Sequence, residues 1–493
     1  MSGQRSGTPS HWWWLVSVGA ASALPVARAI ANNPGENLDV ARLALWGSGF
    51  FVIGVLAFTI AWSLDRGASA RARATAIAGL LVSLGYGPLL ADALNLQQPL
   101  MVILVAVALT VTAGLVARWR GVQHFLLIVP LFLIAYPIAE IVVLPRPQTE
   151  GPAPTGELPS LAGIEAPNVY WFIIDGLGRE DIINELGAEL DLRQKFRAKG
   201  FQVDDGATAP YAWTHLSLGA TLNAEYFPED LTYDELTPVL VSFFENGPPV
   251  FRAFEHAGFE TLMLPGVRWS GFTCSAGDPN CLRESSRAVE DDLMASMTLV
   301  GPIRILIEAG NSDRFIADVD PVPAVEKALG LRASDGEGTE RHFVVLHVMG
   351  LHPPYRWSGP ECTPQPGGVL TEEWLPLSDY FDAARCATRR TLESIDLILA
   401  QDPTAVVIVQ GDHGPRVAGS DLSAIGSTLP TETVWFGTFL ALRMPGCELG
   451  EGNNTVNVFR LVMACMSYRS PDVLPPKSWH FTSSDAVAHV VHP

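Results

Sequence analysis

Acidic and imidazole side chains follow apolar runs in this sequence of 493 residues. Asp175 ends the run "NVYWFIID", and Asp412 with His413 follows the run "TAVVIVQ" in the motif "GDHG". His347 and His352 lie in the motif "HVMGLHPPY". Each residue alone could be an ordinary turn residue or a buried, hydrogen-bonded histidine, but chance would not supply so many at the ends of separate runs. Asp and His together suit one divalent transition ion, Zn²⁺ or Mn²⁺.

A nucleophile is available in the segment "APYAWTHLSLGATLN". Thr214 follows an aromatic turn and opens a predicted helix that covers Leu216 to Asn223. A helix N-terminus attracts anions through its free N–H groups and its dipole. A Thr oxygen that binds a metal there would have a lowered pKa and could attack phosphorus. The alternatives are that Thr214 is only the helix N-cap, a position that Thr favours, or that Ser217 is the nucleophile.

Strands and helices must position these side chains. The sequence contains short apolar runs that are rich in Val, Ile and aromatic residues and bounded by Gly or Pro, which is typical of buried strands. These runs cover residues 168–175, 259–265, 342–350 and 404–412, and helical patterns between them include residues 180–200 and 378–401. The alternation predicts an α/β domain with a mostly parallel sheet. In such a sheet, ligands bind outside the carboxyl ends of the strands, where Asp175, His347 and Asp412 would meet.

The first 145 residues have a different pattern. They contain apolar segments that each approach the ~20 residues needed to cross the hydrocarbon core of a bilayer. These segments lie at about 12–27, 43–64, 74–91, 99–117 and 122–144. A cleavable signal peptide is the alternative for the first segment, but the segments that follow favour an uncleaved helix. The pattern predicts a bundle of about five transmembrane helices.

Arginine residues predict the orientation of this bundle. The loop after the second segment contains Arg66, Arg71 and Arg73, and the loop after the fourth contains Arg118 and Arg120. The positive-inside rule then places the N-terminus in the cytoplasm and everything after the fifth segment outside. We therefore expect a multi-pass protein of the bacterial cytoplasmic (inner) membrane with an extracytoplasmic domain.

Composition predicts the domain boundaries. Residues 146–166 are rich in Pro and Gly and form a predicted linker between a transmembrane domain at 1–145 and an extracytoplasmic domain at 167–493. Residues 1–145 carry eight Arg, no Lys and five Asp or Glu, a charge of +3, so the rest carries −23 of the total −20. An acidic domain poor in Lys and Arg is not the surface that a nucleic-acid-binding protein presents.

All the cysteine residues lie in the predicted extracytoplasmic domain. An even number of cysteines in an exported domain predicts disulfides, and none has the CxxC spacing of a zinc site. Cys274 and Cys281 are the easiest pair to predict because they are close in sequence, but the six cysteines of the chain allow about 15 connectivities, which stay open.

Several motifs, taken together, resemble a known family. In chain order, "NVYWFIIDGLGR", "YAWTHLSLGATLN", "HVMGLHPPY" and "GDHG" cover roughly residues 166–415. The sequence resembles the alkaline phosphatase/sulfatase superfamily, and most of all its membrane-anchored lipoteichoic acid synthases and phosphoethanolamine transferases. "GDHG" alone is a weak signal, but the motifs in this order are a specific one.

The resemblance implies a fold, a site and a reaction. Asp175, Thr214, Asp412 and His413 would hold one metal ion, Thr214 would be the nucleophile, and His352 would contact the transferred group. His347 is a further candidate for substrate binding. The reaction would transfer phosphoglycerol or phosphoethanolamine from a membrane phospholipid to an envelope glycan or lipid through a phosphothreonine.

Departures from the family's patterns narrow this prediction. Sulfatases form their aldehyde nucleophile from Cys or Ser, and Thr214 cannot form it, so sulfate ester hydrolysis is disfavoured. Only one Asp follows the first strand, which favours a single metal ion. The alternatives are a phosphodiesterase with the same site or an inactive membrane-anchored binding or scaffold protein. A transporter is disfavoured because the apolar segments hold few charges.

Overall fold

A computed structural model describes most of the chain. The described residues are 11–32, 40–64, 77, 79, 81, 99–116, 119–143, 158–245, 247–264, 280–282, 294, 298–300, 303, 320–334, 341–353, 355–365, 374–448, 450, 454–483 and 486–491. The chain forms two compact units, residues 1–148 with 287–310, and residues 149–286 with 311–493. The predicted domain boundaries at 145 and 166 stay a prediction.

Long helices make up the first unit in the part that is described. They are α1 (His11–Asn32), α2 (Val40–Leu64), α3 (Pro99–Val116) and α4 (Arg120–Val143). These helices overlap the predicted membrane segments except the third, 74–91, which lies largely outside the described residues. When only the described residues are considered, no helix is long and apolar enough to cross a membrane. The transmembrane bundle therefore stays a prediction.

A mixed sheet lies at the centre of the second unit. Its strands are β1 (Val169–Ile174), β2 (Gln202–Val203), β3 (Phe259–Leu264), β4 (Arg341–Val348), β7 (Val406–Gln410) and β8 (Leu440–Arg443). The order is β2-β8-β7-β1-β4-β3. The strands β3, β4, β1 and β7 are parallel, whereas β8 and β2 add an antiparallel edge. The predicted α/β class and mostly parallel sheet are confirmed, and the antiparallel edge is a feature that the sequence did not reveal.

Two short hairpins complete the strands of the second unit as described. One pairs β5 (Trp357–Ser358) with β6 (Thr363–Pro364), and the other pairs β9 (Ser478–His480) with β10 (His489–Val491).

Helices cover both faces of the central sheet. They are α5 (Glu180–Glu185), α6 (Leu192–Arg197), α7 (Thr214–Asn223), α8 (Tyr233–Glu245), α9 (Pro249–His256), α10 (Pro321–Ser334), α11 (Leu377–Gln401), α12 (Gly419–Ala424), α13 (Thr431–Phe436) and α14 (Val458–Met466). Alternate residues of β1 enter two separate cores, one containing residues of α10 and α11 and the other residues of α7 and α14. Every residue of β1 is buried, as expected for a parallel strand covered on both faces.

The two helical patterns quoted above have different outcomes. The pattern at 378–401 forms one helix, α11, as predicted. The pattern at 180–200 is broken into α5 and α6. The break occurs because Gly187 and Asp191 have φ values of +108° and +52°, which a right-handed helix cannot include.

Disulfides are present in the second unit. Cys362 bonds to Cys386, and Cys447 bonds to Cys465. Cys281 is also disulfide-bonded. Cys274, its predicted partner, lies outside the described residues, so that pairing stays a prediction. The bonded pairs confirm that this unit uses its cysteines for cross-links.

Candidate active site

Parallel strands bring acidic and imidazole side chains to one edge of the central sheet. Ile173 of β1 is level with His347 of β4 and with Gln410 of β7. Asp175 directly follows β1, and Asp412 lies two residues beyond the end of β7. The strand register therefore gathers Asp175, His347 and Asp412 at the carboxyl edge, where α/β sheets bind ligands.

The turn after β7 depends on glycine. A Cβ on Gly411 would collide with the carbonyl oxygen of Leu177 and the hydroxyl of Thr438. A Cβ on Gly414 would collide with the carbonyl oxygen of Val434. The two glycines of "GDHG" thus allow the chain to turn tightly against its neighbours while it presents the Asp and the His between them.

Thr214 lies at the start of helix α7, where the sequence predicts it. The preceding residue, Trp213, is extended, and Thr214 is the first helical residue. The Oγ1 atom of Thr214 is 3.3 Å from Oδ2 of Asp175 and 3.2 Å from Nε2 of His413. The structure therefore brings the predicted nucleophile next to residues from β1 and from the turn after β7.

Ser217, the rival nucleophile, has a different environment. Its side chain is fully buried, and its hydroxyl donates a hydrogen bond of 2.6 Å to the backbone carbonyl of Asp412. A buried hydroxyl that donates to a carbonyl is suited to holding a loop. Ser217 joins α7 to the turn that carries Asp412.

Hydrogen bonds orient the two ligand candidates in the turn. Oδ1 of Asp412 accepts hydrogen bonds from the backbone N–H of Gly176 at 2.9 Å and of His413 at 3.0 Å. Nδ1 of His413 donates to the carbonyl of Gly414 at 2.7 Å, since a carbonyl can only accept. A neutral imidazole that carries its proton on Nδ1 has a lone pair on Nε2, which is the form that binds a metal.

The residues fit a metal ion. Asp175, His347 and Asp412 each offer a ligand atom, and these atoms lie within 4.8 Å of one another. All three side chains are fully buried. Oδ1 of Asp175 and Oδ2 of Asp412 accept no hydrogen bond from the described residues, although Oδ2 of Asp412 lies 3.4 Å from Nε2 of His413. Buried carboxylate oxygens without partners are costly unless a cation binds them.

Charge interactions at the site also favour a bound cation. Burial alone would raise the pKa of Asp175, but His352, His347 and His413 outweigh it and hold that pKa well below its usual value. Burial and the neighbouring charge of Asp175 raise the pKa of Asp412. Opposite shifts are expected for two carboxyl groups that share one site. A divalent cation between them would favour ionisation of both.

The predicted substrate-binding histidines occupy different positions. Nε2 of His347 is 3.3 Å from Oδ2 of Asp175, so this residue belongs with the acidic group at the strand ends. The ring of His352 lies 5.4 Å from the ring of Trp374, which lies 6.1 Å from the ring of His413. The ring of Trp374 therefore connects His352 to His413. The roles of both residues in substrate binding stay a prediction.

Sequence analysis did not predict that two aromatic residues, Trp374 and Tyr380, lie around the site. Trp374 is 2% exposed and packs so closely on Gly176 that a Cβ there would overlap its ring. The hydroxyl of Tyr380 donates to the carbonyl of Gly176 and accepts from the N–H of Gly178, at 3.1 and 3.3 Å. In the sequence, Tyr380 lies within the helical pattern at 378–401. No sequence signal links either aromatic residue to the loop after β1, because the contacts join segments about two hundred residues apart.

His215, the residue after Thr214, provides a test by pH. Its Nε2 atom is 3.0 Å from the hydroxyl of Tyr233. Burial, with the charges of Arg416 and His413, lowers its pKa from 6.5 to about 4. Between pH 4 and pH 6.5 the imidazole of His215 is protonated in the unfolded chain but not in the folded chain. Its contribution to the free energy of unfolding is therefore full above pH 6.5 and falls as the pH drops towards 4. We expect the thermal midpoint of the wild type to fall more steeply over this range than that of His215→Gln, which keeps an acceptor for Tyr233. Equal slopes for the two proteins would contradict this assignment.

Comparisons with known proteins give structural matches only. No family model matches the chain, and no curated protein matches it. A solved structure of a protein in the alkaline phosphatase superfamily from Vibrio parahaemolyticus is 11% identical, with a TM-score of 0.40 over 64% of this chain and 69% of that one. The chain is similar to that solved structure at this level of identity.

Two further solved structures have more specific names. The lipoteichoic acid synthase LtaP from Listeria monocytogenes is 13% identical, with a TM-score of 0.37 over 64% of this chain and 78% of that one. The integral membrane protein lipooligosaccharide phosphoethanolamine transferase A from Neisseria meningitidis is 12% identical, with a TM-score of 0.38 over 93% of this chain and 95% of that one. Because these TM-scores are below 0.5, no argument about the chemistry of this chain rests on the matches.

Proposed function

We propose that this protein is an enzyme that transfers a phospho-alcohol head group by way of Thr214. The donor is a membrane phospholipid, the group is phosphoglycerol or phosphoethanolamine, and the acceptor is an envelope glycan or lipid. The observation that carries the proposal is the position of the Thr214 hydroxyl, at a helix N-terminus and within 3.3 Å of both Asp175 and His413. A hydroxyl that served only as an N-cap would not need buried acidic and imidazole neighbours from other segments.

One divalent ion, Zn²⁺ or Mn²⁺, is the proposed cofactor. Asp175, Thr214, Asp412 and His413 would hold it, and His347 is suitably placed beside Asp175 to assist. When bound, the ion would supply a positive charge that lowers the pKa of the Thr214 hydroxyl and stabilises phosphoryl oxygens. A metal content near zero in an active preparation of the protein would contradict this part of the proposal.

Other groups of the chain would orient Thr214, stabilise the phosphoryl oxygens and hold Asp412 in place. Oδ2 of Asp175 accepts the hydrogen bond of the Thr214 hydroxyl and orients it. The first-turn N–H groups of α7 have no partner within the helix and favour negative charge on the phosphoryl oxygens. Asp412 is held by the N–H of Gly176, and Ser217 holds the carbonyl of Asp412. This network fixes the nucleophile before the substrate arrives.

The reaction has two balanced steps. Oγ1 of Thr214 bonds to phosphorus as the bond between phosphorus and the diacylglycerol oxygen breaks, and diacylglycerol leaves with the proton from Thr214. The acceptor hydroxyl then bonds to phosphorus, the bond to Oγ1 breaks, and Thr214 regains a proton. His352 would contact the transferred group in both steps. Such a covalent intermediate gives ping-pong kinetics.

The location of the reaction is also proposed. We place the catalytic unit on the extracytoplasmic side of the bacterial inner membrane, anchored by the N-terminal helices. The exclusively cross-linked cysteines of the described second unit support an oxidising compartment. An anchor would keep the site close to a lipid donor.

Mass spectrometry of the peptide that contains Thr214 tests the intermediate. The full chain is incubated with vesicles of phosphatidylglycerol or of phosphatidylethanolamine and quenched in acid. We expect a phosphoglycerol or phosphoethanolamine ester on Thr214 with one of the two lipids. Thr221, in the same helix, should carry none, because its hydroxyl is buried and bonded to the carbonyl of Ser217.

The outcomes of this experiment separate the alternatives. An ester on Thr214 together with free head-group phosphate in the absence of an acceptor would identify a phosphodiesterase. The absence of any ester with either lipid, in a preparation that contains metal, would contradict the proposed intermediate and favour the inactive scaffold.

A further inference from the structure

The loop that follows β1 is held in place by a tyrosine from α11. The hydroxyl of Tyr380 donates a hydrogen bond of 3.1 Å to the carbonyl of Gly176 and accepts one of 3.3 Å from the N–H of Gly178. Tyr380 lies in the first turn of α11, far along the chain from this loop. Because the two bonds reach both glycines, one hydroxyl determines where the segment from 176 to 178 lies relative to α11.

This loop is connected to both buried carboxyl groups of the site. Asp175 directly precedes Gly176, and the N–H of Gly176 donates to Oδ1 of Asp412 at 2.9 Å. Gly176 has a φ of +70°. Glycine adopts positive and negative φ values with similar ease, so contacts from elsewhere must keep the loop in this conformation. A displaced Gly176 would change both the direction of the Asp175 side chain and a hydrogen bond that orients Asp412.

The chemistry of Tyr380 suits this contact. Its side chain is fully buried, and burial raises the pKa of its phenol above the usual value, so the hydroxyl stays protonated. A neutral phenol can donate one hydrogen bond and accept another, and the bonds to the loop use both capacities. Filling the core alone would need only the ring, which Phe also supplies.

We propose that Tyr380 is a positioning residue for the proposed cation site, whose hydroxyl fixes the loop after β1 so that Asp175 and Asp412 bind one divalent ion together. The inference rests on the proposed function, since it concerns the ion proposed there. Two ionised carboxyl groups repel each other while no cation lies between them. A fixed loop would hold both groups in place before the ion binds, and Tyr380 would act through Gly176 without touching the ion.

The metal affinity of Tyr380→Phe tests this proposal without any substrate. The full chain is treated with a chelator and titrated with Zn²⁺ or Mn²⁺ to obtain the Kd. Phe keeps the ring of Tyr380 and removes only its hydroxyl. We expect the Kd to rise about 10- to 100-fold, which is the usual effect of losing a residue that orients metal ligands without binding the ion.

Tyr226 provides a matched control. Its hydroxyl donates to the carbonyl of Pro475 and accepts from the N–H of Lys477, each at 2.9 Å, so it also holds a short segment at both ends. Tyr226 follows the far end of α7, a helix of 10 residues that begins at Thr214 and is about 15 Å long. Both Tyr→Phe variants should lower the thermal midpoint of the metal-free protein, because each leaves backbone groups without a partner. Only Tyr380→Phe should weaken metal binding, whereas a purely structural role of Tyr380 would change the midpoint alone.

Hydrogen exchange of the wild type is a second test that needs no variant. If Tyr380 holds the loop, a peptide that covers residues 175–178 should be protected from exchange to the same extent in the metal-free and the metal-loaded protein. Protection that appears only after loading would mean that the ion arranges the loop, and it would overturn the proposal. This measurement decides the matter if Tyr380→Phe does not fold.

The results also separate this inference from the proposed function. A Kd of Tyr380→Phe equal to that of the wild type would overturn the inference, whereas an ester on Thr214 would still support the function. A wild type that binds neither Zn²⁺ nor Mn²⁺ would instead overturn the proposed cofactor, and the inference with it.

Discussion

Replacing Thr214 with Ala should lower the rate of head-group release by more than about a thousandfold, the scale of losses when a nucleophile is removed. The reason is that, among the residues that the structure describes, the nearest rival hydroxyl in the helix is committed elsewhere. Ser217 lies in the next turn of the same helix, but its hydroxyl is buried and donates to the carbonyl of Asp412 at 2.6 Å. Release of head group from lipid vesicles by the full chain is the measurement.

Two further variants make this result specific. Thr214→Ser keeps a hydroxyl at the helix N-terminus and should stay within about tenfold of the wild type, because only a methyl group is removed. Ser217→Ala should lose activity only moderately, since it loosens the turn that carries Asp412. If Ser217→Ala were inactive and Thr214→Ala active, the nucleophile would be Ser217 and the assignment made here would be wrong.

Replacing Asp412 with Asn should weaken metal binding but stabilise the metal-free protein. The amide oxygen of Asn can keep the hydrogen bonds that Oδ1 of Asp412 accepts from Gly176 and His413. The NH₂ group would take the place of Oδ2, which accepts no hydrogen bond from the described residues. Removing one of two buried carboxylates should therefore raise the thermal midpoint of the metal-free protein.

With metal present, the wild type should be more stable than Asp412→Asn. The wild type at a metal concentration of 100 times its Kd should gain about 2.7 kcal/mol of stability from binding. Asp412→Asn should gain little, because loss of a charged ligand should weaken binding at least about a hundredfold, beyond what changes around a metal site typically cost. Thermal unfolding of chelator-treated and Zn²⁺- or Mn²⁺-loaded protein, with metal content by mass spectrometry, measures both effects. Equal gains on loading for the two proteins would exclude Asp412 as a ligand.

Local sequence patterns determined the elements that carry the site. The runs at 168–175 and 404–412 are short, apolar and bounded by Gly or Pro, so they predict strands wherever they lie in the fold. Both are strands, β1 and β7, and the acidic residues follow them as expected. Thr214 begins a helix, as the segment around it predicts. These features depend on neighbours in the sequence, which is why the sequence alone could reveal them.

The broken helix shows where local patterns fail. Residues 180–200 have helical composition and a helical end signal, yet Gly187 and Asp191 take left-handed φ values that separate α5 from α6. A sequence pattern cannot report backbone angles that packing imposes. The antiparallel strands β8 and β2 were missed for a similar reason, since pairing with β7 and with each other defines them.

The sequence by itself determined which residue types stand at the strand ends and which hydroxyl opens a helix. The predicted parallel sheet placed these groups at one edge, but only the tertiary structure decided which of them come into contact, because contact depends on strand order and register. The parallel pairing that sets Ile173 level with His347 and Gln410 brings His347 to Asp175. Packing across the second unit likewise places Trp213 and Trp435 about Arg416. Contacts between such distant segments follow from how the sheet is assembled, which no short stretch of sequence encodes.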